Sequence, residues 1–372
     1  MKVKKEESPQ SEPTNDNDLK SIVALIKKDF NKNSDVGLAC DAPDDIDFVS
    51  TGSKVLDLCI HSEGLPINGK ITELLGLFSS GKSLILQMLI ANAQKKYDAI
   101  GILVDRESAF TKKRGEQLGI STDQLIYIGP KDVPTITDAM QFICISIEKI
   151  REKFPTRKII VGLDSIAAFD KAGKVKVKKD SDGNETEVIT ESKTDMGRRA
   201  KDVHSALRKA LNYLDQNTTF ILLNQITYMP GVMYGNPQTS TSGEGSKYYS
   251  STRIRLEQGK KIIDKNRGGE VVGQYIKCEI IKSRLDAAHR KCEIPFYYKE
   301  GIPYYGGYLR LLAERGIIET NTKKGENAYK EFIYKDVKFK DGQEMLVLEK
   351  FPELLFNVYP DYDVNSEPEQ EE

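Results

Sequence analysis

The chain has 372 residues, of which 39% are hydrophobic and 30% are charged, and its formal net charge at pH 7 is −1. This composition allows a sizeable core, either in one large domain with appendages or in two modest domains. The near-zero net charge excludes attraction of the whole chain to nucleic acid, so any DNA-binding charge must be clustered locally.

Residues 1–17 are polar throughout, lack the apolar stretch of a signal peptide and are predicted to be disordered. Residues 18–44 are predicted to form a helical arm with Asp18 as its N-cap, because apolar residues recur at helical spacing in DLKSIVALIKKDF. We expect the apolar face of this arm to be buried against the main domain or against another subunit.

Residues 45–303 alternate short apolar strands with longer helical stretches. The predicted strands of this region lie at 70–76, 100–105, 158–164 and 220–225. Alternation of this kind predicts an α/β fold with a mostly parallel central sheet covered on both faces. Three later strands, at 253–258, 275–281 and 293–298, are expected to extend the sheet in antiparallel fashion.

The rest of the chain is smaller and more polar. Residues 304–355 are predicted to form a small C-terminal α/β subdomain, and residues 356–372 an acidic tail with nothing to pack. The insert at 171–193 is Lys-rich in its first half. The interpretation as a disordered surface loop is slightly favoured over a contact with duplex DNA. Scattered cysteines and short apolar runs favour a soluble, cytoplasmic protein without a zinc site, a disulfide framework or a membrane partner.

The segment GLFSSGKS at 76–83 matches the phosphate-binding pattern G-x-x-x-x-G-K-[ST] and stands between a predicted strand and a helix. Its backbone N–H groups and the start of the helix are suited to cradle phosphates. A lysine would then reach the β- and γ-phosphates of ATP, and a serine hydroxyl would ligate Mg²⁺. The nucleotide-binding residues predicted here are Gly76, Ser79, Ser80, Gly81, Lys82 and Ser83.

Carboxylates follow two of the predicted strands. Asp164 ends the strand at 158–164 and is the candidate for holding Mg²⁺ through water. Asp105 and Glu107 end another strand, where a carboxylate can orient a water against the γ-phosphate. The residues alone do not decide between Asp105 and Glu107.

Three long stretches resemble the RecA family of DNA recombinases. Residues 50–83 are similar to the opening of the RecA core, residues 231–257 to its second DNA-binding loop, and residues 279–302 to the segment after it. The motif YGGYLRLL after 302 is closer to phage UvsX recombinases, which favours a phage source. The resemblance covers roughly residues 45–315 and implies a RecA-type P-loop ATPase core.

The resemblance also implies a function. The protein would form helical filaments of itself on single-stranded DNA and use ATP and Mg²⁺ to pair that strand with homologous double-stranded DNA and exchange strands, in recombination, repair and replication. A single-strand-binding protein and a loading mediator are the other partners it implies.

Transferred position by position, the resemblance assigns roles in the ATP site. Glu107 would be the catalytic carboxylate, and Gln225 would sense the γ-phosphate. Lys282 and Arg284 would reach the neighbouring subunit's γ-phosphate, although the family more often has lysine at the second position. Two further residues would lie near the adenine, namely Tyr298 and Arg114, where Arg114 replaces a stacking tyrosine.

The resemblance places DNA contacts in two loops. Basic and apolar residues at the first would contact phosphates and base steps, namely Met196, Gly197, Arg198, Arg199, Lys201 and Arg208. The DNA-binding residues of the second loop would be Val232, Met233, Tyr234, Gly235 and Asn236. The first three of these would stack on or wedge between bases without reading sequence. Without the resemblance, the Arg-Arg-Ala-Lys cluster is more often a solvated helix face.

Two alternatives remain. Another RecA-fold ATPase, such as a helicase-like motor, is disfavoured by the second-loop match and by the lack of a dedicated N-terminal helical domain. A non-hydrolysing mediator is disfavoured by the presence of Lys82, Ser83, Glu107, Asp164 and Gln225.

Overall fold

The structure is a computed structural model that describes residues 16–30, 36–41, 46–169, 174–179, 185–190, 196–228, 238–240, 245–321 and 331–355. The chain divides into two compact units, Met1–Ile46 and Asp47–Glu372. Helix α1 (Asp16–Phe30) belongs to the first unit, and its apolar residues Leu19, Ile22, Leu25 and Ile26 are exposed.

The second unit contains the remaining helices of the described residues. In chain order they are α2 (Lys54–Ile60), α3 (Lys82–Tyr97), α4 (Lys112–Gln117), α5 (Ile136–Lys153), α6 (Met196–Ala210), α7 (Gly245–Tyr249), α8 (Tyr308–Glu314) and α9 (Glu344–Lys350). Some of these helices begin at residues that cap their first turn. The Thr135 hydroxyl and the Asp138 carboxylate form a capping box at the start of α5, which satisfies backbone N–H groups of its first turn.

Strands of the described residues form one large sheet and three small ones. They are β1 (Phe48–Val49), β2 (Leu65–Pro66), β3 (Ile71–Gly76), β4 (Ile100–Asp105), β5 (Leu125–Ile128), β6 (Ile159–Asp164), β7 (Lys174–Lys179), β8 (Glu185–Thr190), β9 (Thr218–Tyr228), β10 (Gln238–Ser240), β11 (Thr252–Asp264), β12 (Glu270–Lys282), β13 (Lys291–Tyr297), β14 (Glu319–Thr320), β15 (Phe332–Tyr334) and β16 (Val337–Phe339). The large sheet has the order β13-β12-β11-β3-β9-β6-β4-β5, and β10 pairs with β9.

The middle of this sheet is parallel from β11 to β5, whereas β12 and β13 continue it antiparallel. Strands β3, β4 and β6 are buried along their whole length, as expected for strands covered on both faces. Of the two apolar clusters, one contains residues of α2, α3 and α8, and the other contains residues of α5 and α6. The predicted α/β class and mostly parallel sheet are confirmed.

Three features differ from the sequence-based expectations or add to them. The insert between β6 and α6 contains an antiparallel hairpin of β7 and β8, instead of only the loop that was favoured. Residues of β15, β16 and α9 pack into the first apolar cluster together with the core strands. Among the residues that the structure describes, each helix is too short or too polar to cross a bilayer.

Candidate active site

The carboxyl ends of four neighbouring parallel strands meet at one edge of the sheet. Gly76 at the end of β3 lies opposite Gln225 of β9, and Asp105 at the end of β4 lies opposite Asp164 of β6. Ligands of open α/β sheets bind beyond these ends. The fold therefore brings the candidate phosphate, metal and water-orienting residues to a single edge.

Tight backbone packing explains the two glycines of the phosphate loop. A Cβ on Gly76 would lie 2.2 Å from the Leu256 carbonyl oxygen, and Gly81 has a φ of 91° and would place a Cβ 2.5 Å from the Ile276 side chain. A side chain at either position would force the loop away from β11 or β12. The loop then leads directly into α3, whose first N–H groups are free to bind an anion.

Lys82 begins α3 and folds back into the loop. Its ammonium donates to the carbonyl oxygens of Gly76 at 3.1 Å and Leu77 at 2.7 Å. Burial lowers the pKa of Lys82, and the carboxylates of Glu107 and Asp164 oppose that shift. A buried cation at the mouth of a phosphate-binding loop is suited to hold phosphate oxygens.

Asp105 and Glu107 have different surroundings in the structure. Asp105 is 1% exposed, and its carboxylate accepts hydrogen bonds from the backbone N–H groups of Ala109 at 3.1 Å and Phe110 at 2.9 Å. It therefore fixes the loop after β4. Glu107 is exposed, lines the cleft and accepts hydrogen bonds from the Ser165 hydroxyl and from the Gln225 amide, the latter at 3.0 Å.

Asp164 lies beside the phosphate loop. Burial raises its pKa to about 6, the negative charges of Glu107 and Asp105 add to that rise, and a hydrogen bond from Ser83 and the charge of Lys82 oppose it. The described residues contain no group of three or more His, Cys, Asp or Glu side chains able to hold a metal. The pair of Ser83 and Asp164 still fits Mg²⁺, which binds through few protein ligands together with phosphates and water.

The raised pKa of Asp164 predicts a pH-dependent stability in metal-free buffer. The folded protein holds this proton up to about pH 6, whereas the unfolded chain releases it near 3.8, so the contribution of Asp164 to stability is greatest below about pH 3.8 and is lost as pH rises from there to about 6. Asp164→Asn removes the cost of the buried charge and should raise the free energy of unfolding at pH 8 by up to about 3 kcal/mol. Urea unfolding with a chelator from pH 4 to pH 8 measures this.

Asp105→Asn is the matched control for that measurement, because the Asp105 carboxylate accepts two backbone hydrogen bonds and its loss should destabilise the fold. A destabilised Asp164→Asn variant at pH 8 would contradict the expected cost of the Asp164 charge.

A cleft of about 350 Å³ contains most of the predicted nucleotide residues. Tyr298 lines it, with its ring 5.6 Å from that of Phe296 in an edge-on contact. The residues lining the cleft are Phe78, Ser79, Ser80, Gly81, Lys82, Ser83, Leu84, Glu107, Gln225, Gln274, Phe296 and Tyr298.

Sequence reasoning missed several groups around the cleft. The amide of Gln274 donates to the Ser79 carbonyl oxygen at 2.9 Å, and that of Gln258 donates to the Phe78 carbonyl oxygen at 3.0 Å. These two amides tie the phosphate loop to the antiparallel part of the sheet. Ser165, which orients Glu107, follows Asp164 directly, and this adjacency was the only signal for it in the sequence.

Five predicted residues of the ATP site do not line the cleft, and two of them, Gly76 and Asp164, belong to or adjoin the phosphate loop. The other three are Arg114, Lys282 and Arg284. Arg114 is half-buried on α4, where its backbone N–H donates to the Thr111 hydroxyl at 3.3 Å. At the end of β12 the Lys282 ammonium donates to the Lys247 carbonyl oxygen at 2.6 Å, and Arg284 donates to that of Tyr248 at 3.2 Å. Both of those acceptors belong to α7.

The DNA-binding candidates are only partly described. Lys201 and Arg208 are exposed on α6, whose opposite face buries Val203 and Leu207. Met196, Gly197, Arg198 and Arg199 lie in the first turn of α6, where the structure describes the backbone alone. The second-loop candidates, Val232, Met233, Tyr234, Gly235 and Asn236, lie outside the described residues.

Comparison with known proteins decides the family. The RecA N-terminal domain family matches residues 17–303. The chain belongs to the RecA family. Protein RecA of Bacteroides thetaiotaomicron is 31% identical over 327 residues, which are 88% of this chain and 89% of the relative.

Two further relatives in the RecA family give similar values. Protein RecA of Ruminococcus albus is 30% identical over 327 residues, covering 88% of this chain and 74% of that protein. Protein RecA of Francisella tularensis is 30% identical over 364 residues, covering 95% of this chain and 93% of that protein. The protein is thus a RecA-like recombinase, and RecA family membership makes it a DNA-dependent ATPase in general terms.

Proposed function

We propose that the protein forms helical filaments on single-stranded DNA and couples ATP hydrolysis to homologous pairing and strand exchange. One observation carries the proposal. The Gln225 amide, at the strand that leads to the second DNA loop, donates to the carboxylate of Glu107 in the nucleotide cleft. The group that would act on ATP is thereby hydrogen-bonded to the strand that leads to the segment that would bind DNA.

In this proposal phosphate binding, water orientation and metal binding are carried out by different residues of the site. The N–H groups of residues 76–83 and the Lys82 ammonium bind the phosphates of ATP. Glu107, held by the Ser165 hydroxyl and the Gln225 amide, orients the attacking water and accepts its proton. Mg²⁺, held by Ser83 and through water by Asp164, would neutralise charge on the phosphates.

Gln225 can act as a switch because its amide has alternative acceptors. In the structure the amide donates to Glu107 at 3.0 Å. A γ-phosphate oxygen presents a second, charged acceptor, which disappears after hydrolysis. The position of β9, and of the DNA loop that follows it, would then depend on which acceptor Gln225 has.

Lys282 and Arg284 complete the site of a neighbouring subunit in this proposal. Both side chains lie outside their own cleft and are held by carbonyl oxygens of α7, which follows the second DNA loop. Their two positive charges can stabilise the charge that develops on a phosphate in the adjacent protomer.

Mixing two inactive variants tests this action in trans. Arg284→Ala should bind ATP normally and hydrolyse it at least about tenfold more slowly on single-stranded DNA, because a charge-assisted hydrogen bond contributes about 1.5–3 kcal/mol. Adding Glu107→Gln protein should restore part of the activity, since some interfaces then combine an intact carboxylate with an intact arginine. ATPase assays over a range of mixing ratios measure this.

Arg290→Ala is the control for the mixing experiment, because Arg290 lies in the same segment but is ion-paired with Asp286 at 2.6 Å. Arg290→Ala should hydrolyse ATP normally. Absence of rescue at every ratio would overturn the trans role.

On the DNA side we propose that Lys201 and Arg208 on the exposed face of α6 neutralise phosphates together with Arg198 and Arg199. Val232, Met233 and Tyr234 of the second loop would stack on bases without reading their sequence, which leaves specificity to base pairing. A single-strand-binding protein and a loading mediator are proposed as further partners.

Electron microscopy of the protein with single-stranded DNA and a slowly hydrolysed ATP analogue tests the proposal. Helical filaments are expected. Closed rings would favour a helicase-like motor, and DNA binding without any ATP turnover would favour a mediator.

A further inference from the structure

An ion pair is buried inside the central sheet, close to the phosphate loop. Glu73 of β3 is 0% exposed and Arg253 of β11 is 8% exposed. The two residues lie opposite each other on adjacent parallel strands, and the Arg253 guanidinium donates to one carboxylate oxygen of Glu73. Desolvation of such a pair offsets much of its attraction, and an apolar pair of similar volume is often equally stable. Stability alone therefore does not explain its presence.

The second carboxylate oxygen of Glu73 leads to the candidate sensor. It accepts a hydrogen bond from the Asn224 amide at 2.6 Å, and the carbonyl oxygen of that amide accepts one from the backbone N–H of Gln225 at 2.9 Å. Asn224 is 0% exposed. The backbone of Gln225 is thus attached to a carboxylate that lies in the strand leading to Gly76.

The other partner of Glu73 leads to the candidate trans residue. Arg253 lies opposite Lys282 in the register of β11 and β12. Burial, and then the positive charges of Arg284 and Arg253, lower the pKa of Lys282, whereas the charge of Glu73 raises it. The buried pair therefore influences the electrostatic environment of Lys282.

We propose that Glu73 and Arg253, acting with Asn224, are positioning residues that hold Gln225 at one end of the network and Lys282 at the other. They do so from within the sheet, and none of the three lines the cleft. The network rests on the proposed roles of Gln225 and Lys282. The network would keep Gln225, the γ-phosphate sensor of its own site, at a fixed position relative to Lys282, which acts on the site of the neighbouring subunit.

Replacing the pair by apolar residues separates a positioning role from a structural one. The double variant Glu73→Leu/Arg253→Met should unfold at the same or a higher denaturant concentration than the wild type. Its KM for ATP should stay within about threefold, while kcat on single-stranded DNA falls at least about tenfold, the loss expected when one oriented hydrogen bond is misplaced. An unchanged kcat in the folded variant would overturn the proposal.

A second ion pair, whose two residues do not line the cleft, provides the matched control. Arg310 is paired with Asp341, and the Arg310 side chain is 14% exposed. The double variant Arg310→Met/Asp341→Leu should leave both kcat and the KM for ATP unchanged. If it lowered kcat as much as the Glu73/Arg253 replacement does, the fall in kcat would follow from the removal of any ion pair. The positioning role would then be refuted.

Asn224→Ala keeps the ion pair and carries the test if the double variant does not fold. It is measured alone and together with Gln225→Ala. If Asn224 acts through Gln225, the combined variant should have the kcat of Gln225→Ala alone. If the two substitutions instead lower kcat by independent factors that multiply in the combined variant, the positioning role is overturned while Gln225 remains the sensor. A Gln225→Ala variant with normal kcat would refute the proposed function itself.

Discussion

Replacing Lys82 with alanine should strongly weaken nucleotide binding and, with it, abolish strand exchange. The ammonium of Lys82 lies in the phosphate loop, held by the carbonyl oxygens of Gly76 and Leu77, and is the cation there that can reach the phosphates. A hydrogen bond to a charged group contributes about 1.5–3 kcal/mol, so the Kd for ATP should rise by about 100-fold. Titration with a fluorescent ATP analogue measures the Kd.

The control for this variant is Lys95→Ala, in the exposed last turn of the same helix α3. It should bind nucleotide and exchange strands as the wild type does. Tight ATP binding by a folded Lys82→Ala protein would show that residues 76–83 are not the phosphate site.

Replacing Glu107 with glutamine should separate ATP binding from ATP hydrolysis. Glutamine keeps the shape and can still accept from the Ser165 hydroxyl, but it cannot take a proton. We expect unchanged nucleotide affinity, filaments that persist on single-stranded DNA, and a kcat lower by about 10²- to 10⁴-fold, the usual contribution of a general base. Phosphate release and electron microscopy on the same sample measure both properties.

Asp105→Asn distinguishes the two carboxylates at the end of β4. Because Asp105 accepts backbone hydrogen bonds from Ala109 and Phe110, its replacement should lower the denaturation midpoint and reduce kcat far less than Glu107→Gln does. Wild-type hydrolysis by Glu107→Gln would make Asp105 the candidate base.

Local patterns in the sequence were sufficient for the parallel sheet and the position of the phosphate loop. Buried strands read as apolar runs, and residues 76–83 combine glycines, a lysine and a serine at fixed spacing. Because parallel strands end at the same edge, the sequence alone places Asp164 beside that loop, whereas Gln225 was assigned there only by the resemblance to the RecA family.

The choice between Asp105 and Glu107 could not be made locally, because both follow the same strand. It depends on the path of the loop after β4, in which Ser108 has a φ of 55° and the Asp105 carboxylate accepts hydrogen bonds from two backbone N–H groups. The catalytic role of Glu107 stays a prediction that the variants above test.

Glu73 illustrates a long-range contact that the spacing of residues in the sequence cannot predict. In the sequence it is a single acid within an apolar strand, and its partner Arg253 lies 180 residues away. Only the order of β11, β3 and β9 in the sheet brings Glu73, Arg253 and Asn224 together. For the insert the signal was present, since KVKVKK alternates with the period of a strand, but the loop interpretation was favoured.

Strand exchange with purified protein tests the central claim most directly. Single-stranded DNA is incubated with the protein, ATP and Mg²⁺, a homologous duplex with a fluorophore and a quencher on opposite strands is added, and strand separation is followed. We predict a fluorescence rise that requires ATP and homology, is absent with a heterologous duplex and is absent for Lys82→Ala. Separation of heterologous duplex at the same rate, or no separation by protein that hydrolyses ATP on DNA, would contradict the account.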